Sequence, residues 1–305
     1  MKSSREQSES SNSTARRLDA TTTVDLHTHS TWSDGLLSPA ALVEEAAARG
    51  LQVLALTDHD TVAGIAEAKD AGARHGVAIV PGVELSVSLD AGGEVHLLGY
   101  FVDSDDPALL AGLAGYAQAR EERMERMVDR LRRIGAAIAV ERVRELAGRG
   151  TIGRPHLARA LIEAGHAADF NDAFARYIGR GRPGFVPRPR VEPDDAIALV
   201  RRAGGVPVLA HPFSAGGVED ALDRLVPVGL LGMEVDYGEY IPEERETLRA
   251  IAARRGLIAT GGSDYHGPDR REHRELGSVP VPLAAVAALR DAAGAGTTRP
   301  GQDGA

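Results

Sequence analysis

The chain has 305 residues, 43% of them apolar, a net charge of −9 and no cysteine. That length suits a barrel-sized domain carrying an insertion, or two ordinary domains. The missing cysteines exclude disulfides, zinc–thiolate sites, iron–sulfur clusters and thiol nucleophiles, so any metal must be held by His, Asp and Glu, a donor set that suits manganese, iron or zinc.

In chain order, the opening MKSSREQSESSNSTARR is polar and Ser-rich with no apolar centre. It is not a secretory signal, and residues 1–20 read as a disordered tail. Strands are predicted over 23–29 (TVDLHTH), 51–57 (LQVLALT), 77–85 (VAIVPGVEL), 94–101 (EVHLLGYF), 206–211 (VPVLAH), 230–236 (LLGMEVD) and 257–264 (LIATGGSD). Helical patterns fall between most of them, beginning with SPAALVEEAAARG, where Ser38 is a cap and Pro39 a first-turn proline. Strand–helix alternation implies a parallel sheet, and seven strands suggest a β/α barrel.

The alternation breaks once. From Asp105 to about Arg190 no strand is evident. Leu109, Leu113, Tyr116, Met124, Met127, Leu131 and Ile134 recur at helical spacing, and helical patterns follow at 140–147, 155–164 and 169–178. The predicted organisation is therefore an α/β fold: a discontinuous barrel over 21–102 and 191–291, a helical insertion or lid over 103–190, and a second disordered tail over 292–305. Between Arg120 and Arg190 there are 16 arginines against 9 acids, a surplus of +7 that leaves −16 for the rest of the chain. Such a charge run is ordinarily a solvated helical face, but it also suits an anionic substrate. The most apolar window, AIALVRRAGGVPVLA, is broken by two arginines and a Gly-Gly pair, so no membrane span is expected and a cytoplasmic location is the default.

The ten histidines are not scattered evenly. His27 and His29 close the first predicted strand and share one face, because strand side chains repeat every two residues. His59 follows the second strand and Glu84 ends the third. His96 lies in the fourth, His211 ends the fifth, and Asp264 and His266 follow the seventh. Together with Asp34, these nine side chains fall at or near one rim, where a parallel barrel gathers its catalytic residues. Nine donors exceed what a single ion can use, so two or three ions are implied. Asp58 and Asp60 could orient imidazoles or simply cap a helix beginning at Thr61. Trp32 could stack on a base, although packing is the plainer role. His75, His166 and His273 read as surface residues.

DLHTHSTWSDG, LALTDHDTVAG, PGVELS, HLLGY, LAHP and GGSDYHG resemble, in order, the motifs of the PHP (polymerase and histidinol phosphatase) superfamily. The resemblance spans roughly 23–285. It implies a distorted seven-stranded β/α barrel with a trinuclear metal centre of divalent ions, manganese foremost, with iron or zinc as alternatives. Position by position it implies His27, His29, Glu84 and Asp264 for one ion. Bridging Glu84 with His96 and His211 would serve the second, and Asp34, His59 and His266 the third. Glu84, Asp264 and His211 would be the ligands that activate water.

TIGRPHLARAL and YIGRGRPGFVPRPR resemble the insertion of PHP phosphoesterases that act on 3′,5′-bisphosphonucleotides, some of which also trim 5′ ends of short RNA. By that resemblance Arg154 and His156 would grip a substrate phosphate, the guanidinium fork matching phosphate oxygens. The expected function is metal-dependent removal of the 3′-phosphate from a bisphosphonucleotide such as adenosine 3′,5′-bisphosphate, with 5′-to-3′ trimming of short RNA as an extension. The partners expected are a nucleotide bisphosphate and short RNA, with no membrane and no obligate protein partner. A histidinol phosphatase or other small phosphomonoesterase is the alternative within the family. A non-catalytic metal- or nucleotide-binding module is the alternative of another class.

Overall fold

A computed structural model describes residues 23–89, 94–268 and 274–296. The predicted tail over 1–20, most of that over 292–305, and His273 lie outside the described residues. Seven strands form one sheet in chain order: β1 (Val24–Asp25), β2 (Val53–Leu56), β3 (Ala78–Ser88), β4 (Glu94–Tyr100), β5 (Val206–Leu209), β6 (Gly232–Tyr237) and β7 (Ile258–Gly262). The sheet curls until β7 meets β1. Leu26 N–H donates to Gly261 O (3.3 Å) and His29 N–H to Tyr265 O (2.9 Å), which closes the barrel.

Strand polarity departs from the all-parallel expectation at one place. β4 runs antiparallel to both β3 and β5, while the remaining pairs are parallel. The cause is local: β3 and β4 are joined by a connection too short to hold a crossover helix, so the chain must return as a hairpin. Three further corrections follow. β1 is confined to Val24–Asp25, so His27 and His29 lie past its formal end. Glu84 sits within β3, which runs on to Ser88, rather than ending it. His96 lies near the start of its strand, and reaches the mouth only because that strand is reversed.

Around the barrel lie α1 (Pro39–Ala48), α2 (Ile65–His75), α7 (Pro193–Arg202), α8 (Val218–Leu225), α9 (Pro242–Arg255) and α10 (Leu283–Gly296). Ser38 caps α1, its side chain accepting from Ala41 N–H. On β2, Leu54 and Leu56 face the helices, whereas Val53 and Ala55 face the barrel interior with Val24, Leu26, Val80, Leu98, Tyr100 and Val208. Apolar residues on both faces are the mark of a strand covered on both sides. α10 overturns the start of the predicted tail: it continues to Gly296, and Val286 and Leu289 pack with Val279 and Val281 against that interior cluster. The small residues at 292–296 therefore extend a helix anchored by the apolar turn before them.

The inserted segment carries α3 (Pro107–Arg133), α4 (Val140–Ala147), α5 (Arg154–Glu163) and α6 (Phe170–Ala173), continued by one π turn to Ile178. α3 belongs to both halves. Leu109 and Leu113 join the barrel's outer core, while Met124, Met127 and Leu131 join a separate core with Val143, Leu157, Leu161, Ile178 and Val186. No helix among the described residues is long and apolar enough to cross a membrane.

Candidate metal centre at the barrel mouth

The inward column of β3 reads Val80, Gly82, Glu84, Ser86, apolar at the floor and polar at the mouth. That of the reversed β4 reads Tyr100, Leu98, His96, ending at the same level through the pairing of Ser86 with His96. Glu84 is thereby lifted to the centre of the mouth. Its Oε1 lies 2.7 Å from His96 Nδ1 and 3.2 Å from His211 Nε2. Its Oε2 lies 3.0 Å from His59 Nδ1, 3.3 Å from His29 Nε2 and 3.5 Å from His27 Nε2. Asp264 Oδ1 is 3.4 Å from His27 Nε2, 3.2 Å from His29 Nε2 and 3.5 Å from His266 Nδ1. On the far side Asp34 Oδ1 is 3.2 Å from His266 Nε2. All nine sequence-predicted ligand residues thus stand around one mouth.

Among the described residues, three groups have ligand atoms within 4.8 Å of one another: His29, Asp34, His59 and His266; His27, His29 and Asp264; and His59, Glu84 and His96. Each is a nitrogen–oxygen set able to hold a metal ion. His27 Nε2, His29 Nε2, His59 Nδ1 and Glu84 Oε2 are buried and crowd one another at 3.0–3.5 Å without a well-aligned hydrogen bond. Buried polar atoms are rarely left so, because desolvating them without compensation costs about 1–3 kcal/mol each. Cations shared among these atoms would remove that cost.

The charges are tightly linked. Burial alone would raise the Glu84 carboxyl; His59, His96 and His27 reverse this and hold it well below the ordinary range. Burial likewise opposes ionisation of Asp264, but Arg274, His27 and His266 hold it well below. Asp34 is held low against burial by His266, His59 and His29. Burial works against a charged His29, yet Asp264 and Glu84 push its imidazole up to about 10. The three carboxylates are therefore ionised and ready to meet cationic charge.

Backbone geometry is also particular here. Among the described residues, four non-glycines have a left-handed backbone, and three of them, Asp60, His211 and Asp264, stand at the mouth. Such conformations persist where the surroundings over-determine them and cluster at functional sites. At Gly262 a Cβ would fall 2.3 Å from His27 Cβ, so only glycine lets β7 close against the strand end that carries the histidine pair.

Several supporting residues escaped the sequence reading. Glu234, fully buried in β6, lies 3.0 Å from His27 Nδ1 and accepts the His211 backbone N–H at 2.7 Å. The available signal was a carboxylate inside an apolar strand, which must have partners. Tyr237 donates to Asp264 Oδ2 at 2.9 Å, and Arg274 pairs with the same oxygen. Arg274 lies in an irregular segment with no pattern to betray it. Asp25 accepts from Ser263 Oγ (2.6 Å), Ser263 N–H (3.0 Å) and Gly277 N–H (2.9 Å), tying β1 to β7.

The capping role for Asp58 and Asp60 is corrected. α2 begins at Ile65 behind Gly64, so neither residue is at its cap. Asp58 instead accepts from Ser30 N–H (2.7 Å), Ser30 Oγ (2.6 Å) and Ser33 Oγ (2.6 Å), and Ser33 Oγ stands 3.4 Å from His29 Nδ1. It organises the loop between His29 and Asp34. Asp60 accepts from Arg120 Nε at 2.5 Å, joining the barrel to α3.

The insertion meets the mouth where Thr151 N–H donates to Trp32 O (2.8 Å). Arg154 opens α5 with its guanidinium over the Phe174 ring (5.5 Å). His156 is buried, and its Nδ1 accepts the Gly153 N–H at 3.0 Å. His156 also lines a cleft of about 400 Å³ between the mouth and the insertion, with Trp32, Ser33, Arg149 and Arg159. Arg149 lies 5.0 Å over the Trp32 ring. His75 is exposed and His166 half-buried, away from the site.

A family model described as the PHP domain matches residues 25–177. The chain is 37% identical over 250 residues to a 3′,5′-nucleoside bisphosphate phosphatase of Chromobacterium violaceum, covering 80% of this chain and 87% of the relative. The chain belongs to the PHP family. It is 38% identical over 250 residues to the 5′-3′ exoribonuclease Rnm of Escherichia coli, covering 80% and 85% of the two chains. A solved structure from Bifidobacterium adolescentis, assigned as a metal-dependent phosphoesterase, superposes with a TM-score of 0.81 at 35% identity, covering 88% of this chain and 96% of that one. Like these PHP members, the chain is a metal-dependent hydrolase of phosphate esters.

Proposed function

We propose that this PHP protein removes the 3′-phosphate from 3′,5′-bisphosphonucleotides, with short 5′-phosphorylated RNA as a second substrate, in the cytoplasm. The observation that carries the reading is the pairing of a nine-residue N/O cluster with an arginine-rich insertion set directly against it. The relatives named for bisphosphonucleotides and for RNA support the same substrate class.

Three divalent ions, manganese foremost with iron or zinc as alternatives, are proposed for this donor set. His27, His29, Glu84 and Asp264 would hold one, Glu84, His96 and His211 a second, and Asp34, His59 and His266 the third. When bound, such ions lower the pKa of water and neutralise phosphoryl oxygens. The chain's own residues do the rest. Glu84 faces different imidazoles with its two oxygens, so it can serve two ions at once. Glu234 fixes the His27 ring from behind, leaving Nε2 as its donor toward the mouth. Tyr237 and Arg274 occupy Asp264 Oδ2 and leave Oδ1 toward the imidazoles. Arg154 and His156 would hold the second phosphate, which a monophosphate lacks.

The test is a panel. Full-length protein with Mn²⁺ is offered adenosine 3′,5′-bisphosphate, AMP, histidinol phosphate and a 5′-phosphorylated oligoribonucleotide. Phosphate release from the first, with AMP as product, is expected. A preference for histidinol phosphate would overturn the substrate assignment.

A further inference from the structure

On the β5–β6 side of the mouth, a series of aromatic rings runs outward from His211. Counting outward from His211, Tyr237 lies 5.5 Å away between ring centroids, Tyr240 4.9 Å beyond Tyr237, and Phe213 5.1 Å beyond Tyr240. The series starts at an imidazole beside Glu84 and ends in solvent, where Phe213 is 40% exposed. Five large apolar side chains are exposed among the described residues. Two of them are Phe213 and Ile241, the latter next to Tyr240 in the chain, while Leu110 and Ile134 lie at the two ends of α3 and Leu283 opens α10.

The placement is held by backbone. His211 adopts a left-handed φ of 27°, and the following 3₁₀ turn, Pro212–Ala215, swings Phe213 out beside the mouth. The Phe213 N–H then donates to Tyr240 Oη at 3.0 Å, fixing the two rings together. Their planes meet at 70°, an edge-to-face contact, and Phe213 stays exposed beside it. A rigid, partly wet aromatic surface two residues from an expected metal ligand has little use for packing.

We infer that Phe213 and Tyr240 form a stacking subsite for the base of a nucleotide bound at this mouth. A planar, heteroaromatic ligand is the class that an exposed ring face recognises, and stacking is tolerant of base identity because every base has a π-face. The insertion reaches the mouth through Arg120, which pairs with Asp60, whereas Phe213 and Tyr240 stand on the β5–β6 side. The aromatic series discriminates base-bearing phosphate esters from sugar phosphates. The inference rests on the proposed nucleotide substrate class, although the series itself is read from geometry alone.

The test uses full-length, Mn²⁺-loaded protein and calorimetric binding of AMP and ribose 5-phosphate, which differ only by the base. Wild type is expected to bind AMP about tenfold more tightly, as one stacked base provides. Phe213→Ala should erase that advantage by weakening AMP alone, and Phe213→Trp should keep it. Equal binding of the two ligands by wild type, or an AMP advantage that survives in Phe213→Ala, overturns the stacking subsite. Equal weakening of both ligands in Phe213→Ala, with no rescue by Phe213→Trp, marks a structural role and overturns it as well. Binding needs no turnover, so a failed phosphate-release panel with an intact AMP advantage would reject the proposed reaction and leave this subsite standing.

Discussion

The barrel mouth and the inserted helices carry charge in opposite ways. At the mouth, six imidazoles and three carboxylates are packed close to one another, mostly buried, on the barrel strands and the loops that follow them. On the insertion, many of the arginines behind the basic surplus stand on the outer surface and pair with its own acids. Arg142 reaches Glu163 and Glu145, Arg144 reaches Glu121 and Glu125, and Arg176 reaches Asp172. Arg120 and Arg123 turn inward and are buried; Arg120 reaches Asp60 beside His59. Concentrated charge that cannot relax into water demands a cation and supports chemistry; dispersed charge is structural except where it faces the site. The mouth should therefore govern whether any phosphate ester is cleaved, and the insertion which one.

The sharpest way to break that division is Glu84→Ala. It should lower turnover of every phosphate ester on the order of 1000-fold, since several kcal/mol of charge stabilisation are lost with the ions. Elemental analysis should show fewer divalent ions in a protein whose circular dichroism is unchanged. Next is Glu234→Gln, which keeps the size of the side chain but removes the charge behind His27. Metal affinity and activity should each fall about 10–100-fold, as is usual for groups that orient a ligand from behind, measured by metal titration alongside kcat.

Arg154→Ala probes the other region. Losing a charge-assisted contact of about 1.5–3 kcal/mol should cost bisphosphate turnover about 10–100-fold. Hydrolysis of a small aryl phosphate should change far less, and equal losses on both substrates would remove Arg154 from substrate recognition. Smallest is Arg142→Ala on the outer face, where neither melting temperature nor kcat should move measurably, because exposed ion pairs contribute little.

Much of this was legible before any coordinates. Period-two strands ending in His or carboxylate located the mouth, and the helical period of Leu109, Leu113, Met124 and Met127 located α3. What stayed hidden was non-local. The reversal of β4 depends on how short its connection to β3 is, yet it decides whether His96 reaches the mouth at all. Glu234, Tyr237 and Arg274 matter through partners far away in sequence, and no spacing rule links Arg274 to Asp264. Phe213 looked like one more residue after LAHP; its exposure appears only once the left-handed turn at His211 is seen. The small residues after Ala292 matched a tail in composition, whereas the preceding apolar turn carries the helix on to Gly296.

The most direct measurement of the central claim is the divalent metal content of the full-length protein, paired with activity before and after chelation. Two to three ions per chain are expected, with phosphate release abolished by the chelator and restored by Mn²⁺. A folded protein that retains only trace metal, or that hydrolyses phosphate esters equally well after chelation, would contradict the account.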